Sequence, residues 1–285
     1  MNRYRRNNIE ERFFKVLMMG ATAIILLCLF LIVFAIVQKG LPSMSVDMIT
    51  KTTEDGFLLA KGGGVLNAII GSLYLAGGAT VLAFFLSLSV ALYLNIYKKR
   101  QSAYVNIVRL CLDVLWGIPS IVYGAFGFTI MLILGIHISL LAGIVVVGIM
   151  TMPIMIRAMD EVIMTVPKGL IDASLSLGAT RFETAFKVAA RQSIPGILTA
   201  VLISFGRAIG DAAAVLFTAG FTDYVPTALD QPAATLPLAI FFQLGTPVPE
   251  VQGRAYASAL ILTVIILFIS IASRIITRKY SKHKV

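Results

Sequence analysis

Val65–Tyr97 reads VLNAIIGSLYLAGGATVLAFFLSLSVALYLNIY and carries no charged side chain over 33 positions. The hydrocarbon core of a bilayer is about 30 Å thick and a helix rises about 1.5 Å per residue, so roughly 20 apolar residues suffice to cross it. The stretch therefore predicts a membrane-spanning helix with a lead-in to spare. Working outward from it, five more stretches meet the same test. Phe13–Val37 has a single charge, Lys15, near its edge, and Leu110–Ile136 holds only Asp113. Ile138–Ile156 and Ala255–Ser273 are charge-free over 19 residues each, and Gln192–Thr222 contains Arg207 and Asp211. The expected fold is an all-α integral membrane protein with six transmembrane helices.

The composition of the 285-residue chain agrees. It is 58% hydrophobic and 13% charged, against about 45–50% and about 25% in soluble domains. That excludes a water-soluble globule, a disordered chain and a disulfide scaffold. Cys28 and Cys111 sit in apolar surroundings without C-x-x-C spacing, and His137 and His283 are too few and too scattered for a metal cluster. Packing accounts for both cysteines, and no metal is expected. Met44, Met48 and the other scattered methionines are read as membrane or interface filler.

The net charge of +10 would suit nucleic acid if the basic residues formed one patch. They do not. The N-terminal tail, the second and fourth connections and the C-terminal tail hold 19 of the 24 Lys and Arg; the opposite side holds Lys39, Lys51, Lys61 and Arg254. This asymmetry predicts both termini on the cytoplasmic side and no nucleic-acid partner. It also favours anionic lipid at the basic ends. The first apolar run exceeds a signal h-region and no small-x-small cleavage site follows, so an uncleaved first span is expected.

Two connections are long. The outer one, residues 223–254, contains five of the ten prolines around a short apolar run, Leu238–Leu244. That run is too short to span, so it reads either as a partly inserted or interfacial segment or as a solvated loop. The cytoplasmic one, Arg157–Arg191, is patterned as a helical hairpin. Pro167 suits a first helical turn, Ile171 and Leu175 share a face, and Gly178 can end the helix in a left-handed conformation. Thr180 and Glu183 have capping-box spacing for a second helix leading back to Pro195.

No G-x-x-x-x-G-K-[ST] occurs, so the chain has no phosphate-cradling loop of that kind. Arg207 and Asp211 are the notable charges inside a span. Each costs roughly 2.5–3.5 kcal/mol at the centre of a membrane helix unless it pairs or lines a wet cavity. On a continuous helix their i,i+4 spacing puts them within reach of each other, beside a small-x-x-x-small stripe of Gly206 and Gly210. A guanidinium near the midplane is also a fork for a tetrahedral oxyanion. Two readings stand: a translocation or gating pair, or an ion pair that fixes helix packing. Arg157, followed by Asp160 and Glu161, reads as a gating or coupling charge or as a positive-inside anchor. Gly117 and Pro119 read as kink and packing positions.

Several of these motifs resemble one family. Asp172-Ala173-Ser174-Leu175-Ser176-Leu177-Gly178, continuing Ala179-Thr180-Arg181-Phe182-Glu183-Thr184, resembles the E-A-A-x-x-x-G loop and L-G-A-T-R-W-x-T run of type I ABC-importer permeases. Asp172 stands where that family has Glu, and Val188-Ala189-Ala190-Arg191 replaces its I-x-L-P. Gly117–Gly127 is similar to the G-[IV]-P-S-I-V-x-G-L-F-G run of phosphate-importer permeases. Gly206–Gly220 is similar to their G-R-A-x-G-E-T-A-P-L-L-F-T-A, in the PstA-type form, with Asp211 in place of Glu. Gly63-Gly64-Val65, Thr235-Leu236-Pro237 and the interval Pro153–Pro167 fit as well, so the resemblance covers about residues 60–275.

The resemblance implies a MetI-like permease fold with a coupling-helix hairpin at about 160–191. It divides the chain into a tail, first helix and outer loop (1–62), a permease domain (63–276) and a basic tail (277–285). It assigns ATPase docking to Asp172, Ala173, Ser174, Gly178 and Arg181, while translocation or gating rests on the charges read above, Arg207, Asp211 and Arg157. It implies a non-catalytic subunit for inorganic phosphate in a prokaryotic cell membrane. The implied partners are a PstC-like permease, an ATPase dimer holding ATP and Mg, and an external phosphate-binding protein. Another oxyanion (molybdate, sulfate or phosphonate) and a stand-alone secondary transporter are the alternatives.

Overall fold

A computed structural model describes residues 2–54, 62–98, 100 and 102–281, with side chains described except at 2–10, 54, 62 and 276–281. Lys61, Lys99, Lys282, His283 and Lys284, counted above for charge or metal binding, lie outside the described residues.

Helix dominates. Four helices are long and apolar enough to cross a membrane: α1 (Asn2–Gly40), α3 (Leu66–Leu92), α6 (Leu140–Met164) and α12 (Pro249–Ser281). Between α1 and α3 lie the short α2 (Val46–Thr50) and a two-residue antiparallel pair, β1 (Thr53–Glu54) and β2 (Gly62–Gly63), in the register Thr53–Gly63. Two further helix pairs are bent. In one, α4 (Ala103–Gly117) meets α5 (Ser120–Leu134) at 96°. In the other, an arm formed by α8 (Arg181–Glu183) and a π-helical continuation to Ala190 meets α9 (Ile194–Ile209) at 78°. Counting each bent pair as one span gives six. The chain is a multi-pass membrane protein.

The elbow between α4 and α5, at 96°, is the kink expected at Gly117 and Pro119 within Leu110–Ile136, sharpened to a corner. Its cause is local. Ile118 precedes Pro119 and is extended (φ −71°, ψ 129°), as the clash with a following proline ring requires. Pro119 then opens α5. The hydroxyl of Tyr123 donates to the Leu115 carbonyl at 2.9 Å, bracing the corner.

The core runs along α3 and α6. Ala76, Ala79 and Ala83 of α3 are fully buried, and small side chains let membrane helices approach closely. The central cluster adds Val147 and Met150 of α6, Ile209 of α9, and Ala214 and Val215 of α10 (Ala213–Thr218). A second cluster, at the hairpin end, joins Ala91, Leu92, Met155, Met159 and Ile163 to Ala185 and Ala189 of the π-helical arm. A third, at the opposite end, buries α11 (Leu236–Leu244) against α3 and α12. The proline-rich 223–254 connection is therefore folded into the body. Leu236 and Leu238 are buried, and the Leu236 amide donates to Ser72 Oγ at 2.8 Å. By contrast α1 is exposed along its apolar length; it touches α12 at one end, where Lys39 Nζ lies 4.9 Å from the Tyr256 ring centre.

Candidate functional site

The sequence-predicted residues fall into three places. The first is the hairpin. α7 (Lys168–Ser176) starts after Pro167 and stops at Gly178, whose φ of +87° is the left-handed conformation that a side chain would strain. Thr180 Oγ1 accepts from the Glu183 amide at 3.2 Å, and Glu183 Oε2 accepts from the Thr180 amide at 3.1 Å, closing the expected capping box. Ser174 and Thr184 hydroxyls meet at 3.0 Å and hold the two arms together. Lys187, 2.9 Å from Glu183 Oε1, and the Thr180 hydrogen bonds lower the Glu183 pKa from 4.5 to about 2. Asp172, Ala173, Gly178 and Arg181 are exposed, as are Leu170, Leu175 and Phe182, and Leu177 at the tip is 88% exposed. The hairpin thus shows a mixed polar and apolar face that nothing among the described residues covers. Arg181 Nη1 also donates to the Tyr97 carbonyl at 3.3 Å, at the end of the π-helical turn (Tyr93–Tyr97) that finishes α3.

Arg157 belongs to a second group, centred on a residue that the sequence did not single out. Asp160 is fully buried on α6. Its Oδ2 accepts from Arg109 Nε at 2.8 Å and from Arg157 Nη1 at 3.3 Å. Its Oδ1 accepts from Arg109 Nη2 at 3.0 Å and from Asn95 Nδ2 at 2.6 Å. Four donors saturate the carboxylate. Arg157 also bridges to Asp113 on α4 (Nε to Oδ1, 2.7 Å) and to Glu161 at 3.7 Å. Arg109 Nη1 donates to the Arg100 carbonyl, and Arg100 in turn donates to the Met164 carbonyl at the end of α6. Asn95, Arg100 and Arg109 carry no motif. The available signal was Asp113, a lone acid in an apolar run, four residues after Arg109 on one helical face.

Arg207 and Asp211 form the third place, and here the expected ion pair is absent. α9 ends at Ile209, and Gly210–Ala212 break the chain before α10. Asp211 Oδ2 accepts from the Ala214 amide at 2.8 Å, a local side-chain-to-backbone bond of the kind that competes with helix continuation. The continuous helix assumed by the i,i+4 argument does not exist, and no ion pair joins the two residues. Arg207 is exposed in the last turn of α9, where its charge complements the helix carbonyl end. A Cβ at Gly206 would meet no atom within 4 Å, so no helix among the described residues packs closely on the expected small-residue stripe there; at Gly210 it would meet only the Gly206 carbonyl. Gly117 likewise has open space and acts at the elbow rather than in packing. The close approach is at Gly124, where a Cβ would lie 2.9 Å from Ala214 Cα, so α5 rests directly on the backbone that follows Asp211.

A broken helix that carries a cation on an open face, beside an exposed helical hairpin, describes a permease architecture. Residues 83–282 match the family model described as binding-protein-dependent transport system inner membrane component, and the chain belongs to that family. Among its relatives, the phosphate transport system permease protein PstA of Yersinia pestis is 34% identical over 274 residues, covering 96% of this chain and 92% of that one. The protein of that name from Haemophilus influenzae is 30% identical over 253 residues, covering 89% and 87%. The fold is also that of solved ABC transporter chains. A chain of the inward-facing MetNI methionine transporter superposes with a TM-score of 0.62 at 22% identity, over 75% of this chain and 95% of that one. A chain of a bacterial alginate transporter, solved with an alginate-pentasaccharide-bound periplasmic protein, reaches 0.66 at 15% identity over 98% and 99%.

Proposed function

We propose that this chain is a PstA-like permease subunit of an ATP-driven importer and forms half of the translocation pathway for inorganic phosphate. It sits in the inner or cytoplasmic membrane of a prokaryotic cell. A PstC-like permease supplies the other half, an ATPase dimer holding ATP and Mg docks on the hairpin, and an external phosphate-binding protein delivers the anion. The observation that carries the reading is Arg207, an exposed guanidinium at the end of a broken membrane helix, unpaired with the nearby Asp211. Placing a charge there is costly unless the face is wet or the charge meets an anion, and a guanidinium fork matches phosphate oxygens. The names of the PstA relatives support the choice of anion. The exposed Asp172–Arg181 turn, tipped by Leu177, supplies the docking surface for the ATPase.

The test is labelled phosphate uptake at low concentration in cells lacking this chain, restored with wild type or with Arg207→Ala. Uptake restored by wild type alone, and unaffected by excess molybdate or sulfate, is the expected result. Full uptake with Arg207→Ala removes the assignment of that residue; unchanged phosphate uptake in the deletion removes phosphate.

A further inference from the structure

The Asp160 cluster lies where three mechanical elements meet. The π-helical arm of the hairpin buries Ala185 and Ala189 in one apolar cluster with Ala91 and Leu92 of α3 and Met155, Met159 and Ile163 of α6. Arg181 adds a hydrogen bond to Tyr97 at the end of α3. Hairpin and helix ends are thus one packed body. α4 is attached differently. It buries only Val105 and Leu112, and its directional links to that body are polar: Arg109 to Asp160, and Asp113 to Arg157. Apolar contact is non-directional and permits sliding, whereas a guanidinium forked on a carboxylate fixes orientation. Asn95 completes the joint from the α3 side, donating to Asp160 Oδ1 at 2.6 Å from the same π-helical turn that ends in Tyr97.

Beyond the joint the elbow is braced at three points. Pro119 sets the corner, Tyr123 braces it against Leu115, and Gly124 seats α5 on Ala214 beside Asp211. We propose that Asp160 is the joint through which movement of the hairpin reaches the α4–α5 elbow, and through it the Arg207–Asp211 break, with Asn95 and Arg109 as positioning residues on its two sides. The inference rests on the permease reading above and names which contacts make ATP hydrolysis productive. The Asp160 carboxylate at its centre is saturated and buried, so it holds its donors in one arrangement. Removing one donor loosens the link between α4 and the hairpin–α3–α6 body, whose own apolar cluster stays in place.

The test uses the complete importer (this chain, its partner permease, the ATPase and the binding protein) in vesicles, measuring phosphate moved and ATP hydrolysed in the same preparation. Asn95→Ala leaves both arginine–carboxylate contacts in place; Arg109→Lys keeps the charge and loses the fork. Each is expected to assemble and hydrolyse ATP at the wild-type rate while phosphate moved per ATP falls roughly tenfold, within the range of site-to-site coupling in proteins. A merely structural role would lower assembly, hydrolysis and transport together with their ratio unchanged, and that result overturns the proposal. So does an unchanged ratio with normal activity. A wild-type complex that hydrolyses ATP but moves no phosphate removes phosphate from the reading above, and that failure shows before any variant is compared.

Discussion

Asp160 and Arg207 are both charges set into an apolar body, and their surroundings are opposite. Asp160 is fully buried, and donors from α3, α4 and α6 occupy both of its oxygens. Arg207 is exposed at a helix end, and the carboxylate four residues on has turned to a backbone amide instead. Saturation marks a group whose work lies inside the chain; an open valence marks one directed outward. The difference is measurable. Asp160→Ala leaves Arg109 and Arg157 facing a buried hole, and breaking a buried pair in this way costs about 3–5 kcal/mol. Denaturation of the purified protein in detergent should show that loss. Arg207→Ala in the same assay should stay within about 0.5 kcal/mol of wild type, as at a surface position without partners. Equal losses for the two variants would erase the contrast.

A smaller effect sharpens the second half of the comparison. Asp211 accepts from the Ala214 amide at 2.8 Å and so acts as a local cap for α10. Asp211→Ala should cost about 0.5–2 kcal/mol, the usual range for a lost cap. A double-mutant cycle with Arg207→Ala should give a coupling below about 0.5 kcal/mol, because the two groups share no contact. A coupling well above that would restore the ion pair expected from their spacing and place both residues in one structural unit.

What the sequence revealed follows the range over which each feature is determined. The four long apolar helices, the left-handed stop at Gly178 and the Thr180–Glu183 box depend on a few neighbouring residues, and all were legible. The break after Ile209 was hidden because the i,i+4 reading presupposed a helix. Asp211 ends it by bonding three residues ahead, and Gly210 was assigned to a packing stripe. The elbow at Pro119 was visible as a kink, but its 96° angle depends on Tyr123, Gly124 and the α10 backbone beneath them. The Asp160 cluster was the least accessible. Its donors come from residues 95, 109 and 157 on three helices, and only Arg157 stands close to it in the chain. Spacing cannot reveal a partner 65 residues away; only the packing of small side chains between α3 and α6 brings Asn95 to it.

The smallest predicted effect concerns the hairpin, where a charge is neither buried nor open but shared locally. Glu183 Oε1 meets Lys187, and Oε2 accepts from the Thr180 amide and hydroxyl. These contacts favour the ionised form and bring its pKa from 4.5 to about 2 in the folded hairpin. A carboxylate whose folded pKa is depressed stabilises the fold above its unfolded pKa, and that contribution is lost as the pH falls through the folded value. The capping box is therefore expected to hold from neutral pH down past 4.5 and to fail only on approaching 2. Amide exchange at Thr180 and Glu183, followed against pH in the purified protein, reads this directly. Glu183→Gln should remove the pH step while retaining part of the cap, since its amide oxygen still accepts from Thr180. A step centred near 4.5 in the wild type would show that Lys187 and Thr180 do not hold the carboxylate. The hairpin would then keep its shape through Gly178 and the Ser174–Thr184 contact alone, two features that do not titrate.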